Sequence, residues 1–493
     1  MLLRSLFATR RIRHGAAAGV AVLASGGLFL LHANAAPTNH PHPYEPTIEP
    51  IAEPVVTPFA TPPPERASGP TTVDFSGPHV RGTFALSNAR VLAGQDQPLF
   101  ADVTLTAEPN GVEHAPLALV IVLDTSGSME GEKLAEAKAA VKGLVRDMHD
   151  NDEVAFVRYS DDAQLVQPLS LVSEVRRRLI ARVDGLTADG GTAIPLGLAA
   201  GLRALDGDVG GRVRRVVLVS DGLDSSRPQS ERIARVNFDK GITISSMGIG
   251  LDFDQAYMGG VARAGHGNFG FVNDGPTLAS FLQRELDETA TTTAESTVVH
   301  LHLPDGVRFV NATGADAVLN GRDVSLKVGA LFAQEAKRVM IEMAASTGAG
   351  GALDFNESVT WQSVGGGQGH ATVPQIEVLC TTDPSAVAAG RNESVLGRAA
   401  SVAASERQME AAEAYSNGDA RRAASLIQKN VVALREAAVN APAPMARALA
   451  AQESSYQGTM DTFAHAAPQS SMGRIAAKAS AASNQANAAA AAF

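Results

Sequence analysis

Three short segments of the sequence combine carboxylate and hydroxyl side chains with glycine. Asp124-Thr125-Ser126-Gly127-Ser128 follows the apolar run 117–123, and Ser220-Asp221-Gly222 follows the apolar run 213–219. The third segment, Asp189-Gly190-Gly191-Thr192, precedes a helical pattern. The side chains whose oxygen atoms could meet at one site are Asp124, Ser126, Ser128, Thr192 and Asp221.

Two carboxylates and three hydroxyls favour a hard cation that binds six oxygen ligands. Mg²⁺ is the first choice, and Mn²⁺ and Ca²⁺ are alternatives. Histidine and cysteine do not occur in these three segments, which disfavours zinc and copper. Because hydroxyl ligands carry no charge, they would neutralise the cation only partly. Such an ion would attract an anionic ligand from a partner.

The elements that must position these side chains alternate between strands and helices. The run 117–123 is apolar at every position, as in a parallel strand buried on both faces. Residues 133–148 follow with helical spacing, and further strands are predicted at 154–159, 213–219, 242–249 and 268–272. Segment 164–169 is a candidate antiparallel partner. This alternation predicts an α/β fold with a doubly wound, mostly parallel sheet, which binds ligands at the carboxyl ends of its strands.

The three segments together resemble the metal-ion-dependent adhesion site of the von Willebrand factor type A domain, over roughly residues 115–295. The resemblance implies a Rossmann-like fold with a divalent cation as the cofactor. It also implies that Ser126 and Ser128 bind the cation directly, and that Thr192 joins them in the ligand-bound form. Asp124 and Asp221 would act largely through bridging waters. The open position would take an Asp or Glu carboxylate of a partner protein.

Short alternating strands flank this domain and predict a β-sandwich. Strands are predicted before it in 71–114 and after it in 296–380, with hairpin turns at Pro304-Asp305-Gly306 and Asn320-Gly321. The metal domain would then be an insertion in the sandwich. Residues 381–465 predict a helical hairpin interrupted at Asn417-Gly418-Asp419, and the Ala-rich, low-complexity tail 466–493 is expected to be frayed.

The N-terminal residues predict export. Residues 1–35 combine four arginines, an apolar stretch and Ala33-Asn34-Ala35, which reads as a bacterial signal peptide. An uncleaved membrane anchor is the alternative. Residues 36–70 are rich in proline and predict an extended linker. The expected location is the periplasm, the cell surface or the extracellular space.

Composition narrows the function classes further. The formal net charge of -11 argues against nucleic acid as a partner, and the single cysteine excludes an intrachain disulfide. Cys380 is expected to be buried. His300 and His302 share one strand face and are expected to be exposed rather than metal ligands. Asp161-Asp162 is expected to form a solvated turn, with a second acidic contact as the other possibility.

The leading functional hypothesis is an exported, metal-dependent protein-binding or adhesion module that captures a partner's carboxylate. The alternative is a structural or assembly subunit of a bacterial envelope complex that uses the C-terminal helices. An enzyme is disfavoured because the loops contain no evident nucleophile–base pair or phosphate-binding glycine loop. Asp224 is expected to cap the helix that follows it, with the rim of the metal site as the other possibility. The oligomeric state stays open.

Overall fold

The computed structural model describes residues 69–109, 114–207, 211–221, 224–272, 275–348 and 351–490. These residues belong to the unit Arg66–Phe493. The predicted signal peptide and all but the last two residues of the predicted linker lie outside the described residues. Within the described ranges, no helix combines the length and the apolarity needed to cross a membrane.

The first strands alternate between inward and outward side chains. In the longest of them, Leu99, Ala101, Val103 and Leu105 are buried, because successive side chains of a strand point to opposite faces. The strands are β1 (Thr72–Gly77), β2 (Val80–Leu86), β3 (Arg90–Leu92) and β4 (Asp96–Ala107).

The next part of the chain alternates strands and helices, as predicted. Its elements are β5 (Leu117–Asp124), α1 (Glu132–Asp147), β6 (Glu153–Tyr159), β7 (Ala163–Leu171), α2 (Val172–Asp184), α3 (Ile194–Arg203), β8 (Val213–Ser220), α4 (Arg227–Phe238), β9 (Ile242–Ile249), α5 (Gln255–Ala264), β10 (His266–Val272) and α6 (Gly275–Ala290). The strand order is β10-β9-β8-β5-β6-β7, and β7 pairs antiparallel to β6. The other pairs are parallel, so the predicted α/β class is confirmed.

Both faces of this sheet are covered by helices, which explains the unbroken apolar run in β5. Leu119 and Ile121 pack with α1, α2 and α6, whereas Val120 and Val122 pack with α3 and its neighbours. In the sheet, β6 lies on one side of β5, and β8 lies on the other side. The strand order therefore reverses at β5, and the crevice between the carboxyl ends of β5 and β8 is the expected ligand position.

The strands after α6 complete a β-sandwich with β1 to β4. They are β11 (Thr292–His302), β12 (Val307–Thr313), β13 (Asp316–Asn320), β14 (Asp323–Phe332), β15 (Ala336–Ser346), β16 (Ala352–Ser363), β17 (Gln368–Thr372) and β18 (Ile376–Thr381). One sheet has the order β1-β2-β4-β15-β12, and the other has the order β13-β14-β11-β16-β18-β3, with β17 on β16. Each sheet uses strands from both sides of the inserted α/β domain. The two ends of that domain lie together, because the Ala115 amide donates to the Ala290 carbonyl at 2.8 Å.

The C-terminal region is helical. Its helices are α7 (Pro384–Ala389), α8 (Glu393–Ser416), α9 (Ala420–Asn440), α10 (Ala443–His465) and α11 (Ser471–Ala489). The predicted interruption of the hairpin is present, since Gly418 has φ +85° and the Asp419 side chain caps α9.

The expectation of a frayed tail is wrong for α11. Ser470 caps this helix, and Ala477 and Ala481 are buried in its packing. Alanine has high helix propensity, and its small side chain permits close helix packing.

Candidate metal centre

Asp124, at the carboxyl end of β5, organises the first loop. It is fully buried, and its Oδ1 accepts a hydrogen bond from the Ser126 amide at 2.8 Å. Its Oδ2 accepts hydrogen bonds from the Ser220 hydroxyl at 2.6 Å and from the Tyr159 hydroxyl at 3.4 Å. Burial raises the pKa of Asp124, and the hydrogen bonds from Ser220 and Ser126 oppose this shift. The carboxylate thus joins three neighbouring strand ends.

The first loop connects Asp124 to Asp221 through the Ser126 amide and the hydroxyls of Ser126 and Ser128. The Ser126 and Ser128 hydroxyl oxygens lie 3.0 Å apart, and the Ser128 hydroxyl donates to Asp221 Oδ1 at 2.8 Å. Asp221 directly follows β8 and is 2% exposed, whereas Ser128 is exposed to solvent. Four of the five predicted residues therefore form one hydrogen-bonded cluster that opens to solvent at Ser128.

The loop that carries Thr192 docks on the first loop through its backbone. The Gly127 amide donates to the Gly190 carbonyl at 2.9 Å, and the Asp189 amide donates to the Thr125 carbonyl at 2.8 Å. Gly190 has φ +76°, which glycine adopts without strain. Thr192 is half-buried beside this contact. Among the described residues, its hydroxyl forms no hydrogen bond with the other four side chains.

Sequence reasoning missed two side chains that hold this cluster in place. Ser220 and Tyr159 both donate to the same oxygen of Asp124. Ser220 could have been found, because it stands directly before Asp221 at the end of an apolar strand. Tyr159 ends β6, a strand 35 positions along the chain from Asp124, and gives no local signal.

Lys133, in the first turn of α1, is the third missed residue. Its ammonium donates to Asp221 Oδ2 and, at 3.2 Å, to the Ser128 carbonyl. Its side chain is 30% exposed, so the ammonium lies at the border between the cluster and solvent. The basic group is thus part of the same side-chain cluster as the two carboxylates.

The donor set of this cluster fits a hard divalent cation. Its oxygens come from carboxylates and hydroxyls, which are ligands of Mg²⁺ and similar ions. Among the described residues, no group of three or more His, Cys, Asp or Glu side chains could hold a metal ion. A cation bound here would therefore depend on hydroxyl oxygens in addition to carboxylates.

Of the remaining candidates, Asp161 and Asp224 lie beside the loop that carries Thr192, whereas His300, His302 and Cys380 lie on strands of the sandwich. The expectation that Asp224 caps α4 is wrong, because Ser226 holds the N-cap position of that helix. Asp224 Oδ1 accepts from the Ser226 amide, and its Oδ2 accepts from the Ile194 amide at the start of α3. Asp161 and Asp162 are exposed, as expected. His302 is exposed and hydrogen-bonds to Asp323, but His300 is half-buried beside Thr360. Cys380 is only partly buried, so the expectation of a buried thiol is wrong.

Comparison with known proteins identifies the inserted domain. The family model described as von Willebrand factor type A domain matches residues 118–284. The uncharacterized protein YfbK of Escherichia coli is 28% identical over 208 residues, which make up 41% of this chain and 36% of the relative. The match thus spans little more than a third of the relative's length.

Two solved structures share the fold over a larger part of the chain. A von Willebrand factor type A protein from Catenulispora acidiphila has a TM-score of 0.61 at 21% identity, covering 81% of this chain and 91% of that one. The ArnB paralogue VWA2 from Sulfolobus acidocaldarius has a TM-score of 0.54 at 12% identity, covering 82% and 98%. The sheet order, the family match and these structures agree, and residues 118–284 of this chain are a von Willebrand factor type A domain.

Proposed function

We propose that this protein is an exported binding module that captures a carboxylate of a partner protein through a divalent cation. The observation that carries the proposal is the hydrogen-bonded cluster of Asp124, Ser126, Ser128 and Asp221 at the carboxyl ends of β5 and β8. Domains of this family often mediate protein interactions and adhesion. Mg²⁺ is the preferred ion.

Each residue has a part in holding the cation. Ser126 and Ser128 would contribute hydroxyl oxygens, and Thr192 would add a third when its loop closes on the site. Asp124 and Asp221 would supply negative charge, with Asp124 held in place by the Ser220 hydroxyl. The bound cation would supply an electrostatic attraction for a carboxylate. Because the cluster opens to solvent at Ser128, a partner's Asp or Glu side chain could reach it.

The test uses the full-length protein, with Mn²⁺ as the metal probe and ¹³C-labelled acetate as the carboxylate probe. Titration calorimetry should detect Mn²⁺ binding to the wild type. Asp124→Ala should weaken that binding by about a hundredfold, since it removes the carboxylate that organises the loop. Paramagnetic relaxation of acetate should increase with the Mn²⁺-loaded wild type and return to baseline with EDTA.

The matched control is Asp184→Ala, at the end of α2, whose side chain is 55% exposed. It removes the same charge from the same domain and should leave Mn²⁺ and acetate binding unchanged. Equal Mn²⁺ binding by the wild type and by Asp124→Ala would contradict the proposal. The proposal is for binding without catalysis, so hydrolysis of p-nitrophenyl acetate or p-nitrophenyl phosphate would contradict that part of it.

Export is a separate part of the proposal and rests on residues 1–35. Cleavage after Ala35 would release a chain that begins at Ala36, with the proline-rich segment ahead of the folded region. N-terminal sequencing of the protein recovered from the periplasm or the medium should give Ala36 as the first residue. Recovery of the intact N-terminus in the membrane fraction would favour the uncleaved anchor instead.

A further inference from the structure

We propose that Lys133 weakens cation binding at this site and strengthens the subsequent binding of a carboxylate. The inference rests on the proposed function. It states that Lys133 sets the affinity for the cation against the affinity for the carboxylate. It starts from the position of the ammonium, which donates to Asp221 Oδ2 and to the Ser128 carbonyl. Both acceptors belong to residues of the proposed metal centre.

The backbone directly after β9 leaves room for this lysine. Gly250 follows the end of β9, has φ +76°, and its amide donates to the Val272 carbonyl at 2.8 Å. A Cβ atom built on Gly250 would lie 3.1 Å from Lys133 Cε and 3.5 Å from its Nζ. The aliphatic part of the Lys133 side chain thus passes close to a backbone position that has no side chain. The ends of β5, β8 and β9 position its ammonium.

The charges of the cluster give Lys133 opposite effects on the two binding steps. Asp124, Asp221 and Lys133 together carry one net negative charge, which a divalent cation would convert to one net positive charge. Without the ammonium, the metal-free cluster carries two negative charges and attracts the cation more strongly. The loaded cluster would then be neutral and would attract a carboxylate less strongly.

The route by which a carboxylate would reach the site agrees with this role of Lys133. Asp221 is 2% exposed, whereas the Lys133 side chain is 30% exposed and lies beside the exposed Ser128. A carboxylate approaching from solvent therefore meets the ammonium before it reaches the buried acids. Charge at the entrance of a site raises the local concentration of ligands of opposite sign.

The test compares Lys133→Met, Lys133→Arg and the wild type as full-length proteins. Lys133→Met should bind Mn²⁺ about tenfold more tightly, and its Mn²⁺-loaded form should bind acetate about tenfold more weakly. Lys133→Arg keeps the charge and should keep both constants near those of the wild type. Lys142→Met is the matched control, because it removes the same charge from the same helix at a side chain paired with Asp184.

Two outcomes separate this inference from the proposed function. If the wild type binds Mn²⁺ and acetate but Lys133→Met changes neither constant, or shifts both in the same direction, the assignment of Lys133 is wrong. If the wild type binds no Mn²⁺, the proposed function fails and the assignment of Lys133 fails with it. Circular dichroism of each variant shows whether it has folded, and Lys133→Arg tests the assignment with the smallest change in shape.

Discussion

The Lys478 ammonium lies 3.9 Å from the centroid of the Phe253 ring and donates a hydrogen bond to the Phe253 carbonyl at 2.7 Å. Lys478 belongs to α11, and Phe253 belongs to the loop between β9 and α5. Two further contacts accompany this one, because Arg474 pairs with Asp252 and the Gln485 amide donates to the Gly259 carbonyl. The last helix therefore docks on the von Willebrand factor type A domain.

Reversing the charge of Lys478 should undock α11. Lys478→Glu replaces a cation with an anion close to Asp252 and Asp254, and it removes the cation–π contact. We expect a loss of about 2 kcal/mol or more of local stability, because a cation–π contact and a buried hydrogen bond are both lost. Hydrogen exchange in residues 471–489 should accelerate accordingly. Lys429→Glu, at an exposed position of α9, is the control, and equal exchange in both variants would contradict the docking role.

Glu357 should make the stability of the sandwich depend on pH. This side chain lies on the inward face of β16 and is 4% exposed, and neither of its carboxylate oxygens has a hydrogen-bond partner among the described residues. Burial raises its pKa to about 8. The folded protein therefore keeps a proton that the unfolded chain releases above about pH 4.5. Stability should fall as the pH rises from 4.5 to 8, by up to about 4 kcal/mol.

Glu357→Gln removes this titration and should flatten the pH dependence. Urea unfolding at pH 5.5, 7.0 and 8.5 measures the effect, and the variant should gain most over the wild type at pH 8.5. Asp354→Asn is the control on the same strand, because Asp354 is exposed. Identical pH slopes for the wild type and Glu357→Gln would show that Glu357 does not titrate in this range.

The buried pair of Arg215 and Glu285 should hold α6 on the sheet. Each side chain is 2% exposed, and Arg215 Nη1 lies 2.7 Å from Glu285 Oε2. Ser245 and Asn268 each donate to the same carboxylate at 2.7 Å. Glu285→Ala leaves the guanidinium without this partner and should cost about 3–5 kcal/mol. Native-state hydrogen exchange of the α6 amides measures this loss.

Replacing both members of the pair tests the reason for that loss. Arg215→Met combined with Glu285→Leu removes both buried charges but also takes from Glu288, whose side chain is 16% exposed, its ion pair with Arg215 at 3.5 Å. The double variant should therefore recover part of the stability. A double variant as unstable as Glu285→Ala would indicate that the hydrogen bonds from Ser245 and Asn268 matter more than the charge pair.

Gly190→Ala should weaken metal binding without unfolding the domain. A Cβ atom at Gly190 would lie 2.6 Å from Asp161 Oδ2, and the backbone there has φ +76°. The loop should move away and carry Thr192 with it, so that Mn²⁺ affinity falls about tenfold or more. Gly185→Ala is the control, since its nearest atom would be 3.6 Å away. Unchanged Mn²⁺ affinity in Gly190→Ala would remove this loop from the proposed centre.

The local hydrophobic pattern of the sequence was sufficient to predict the fold of the inserted domain. The unbroken apolar runs of β5 and β8 predict central parallel strands, and the position of Asp124 and Asp221 directly after them predicts neighbouring carboxylates. Pattern was insufficient for long-range pairing. The flanking strands all show the same alternation of buried and exposed side chains, so the sequence does not indicate which strand pairs with which. The pairing of Val103 with Val339 is an example.

The residues that sequence reasoning missed depend on contacts that lie far apart along the chain. Lys133 and Asp221 are 88 positions apart, and a lysine in the first turn of a helix is an ordinary surface residue. Asp224 accepts locally from the Ser226 amide, and it also accepts from the Ile194 amide at the start of α3, thirty positions earlier. The Ala-rich segment of α11 resembles a frayed end because its composition does not reveal the surface on which it packs.

The hydrogen bond between Ala115 and Ala290 has a consequence for how the two domains melt. While the inserted domain is folded, it keeps the end of β4 close to the start of β11. When the inserted domain unfolds, the same connection becomes a flexible loop of about 175 residues. Closing such a loop costs the sandwich about 4 kcal/mol of conformational entropy. Unfolding of the inserted domain is thereby transmitted to the sandwich through the chain itself, without any change in the contacts of the sandwich.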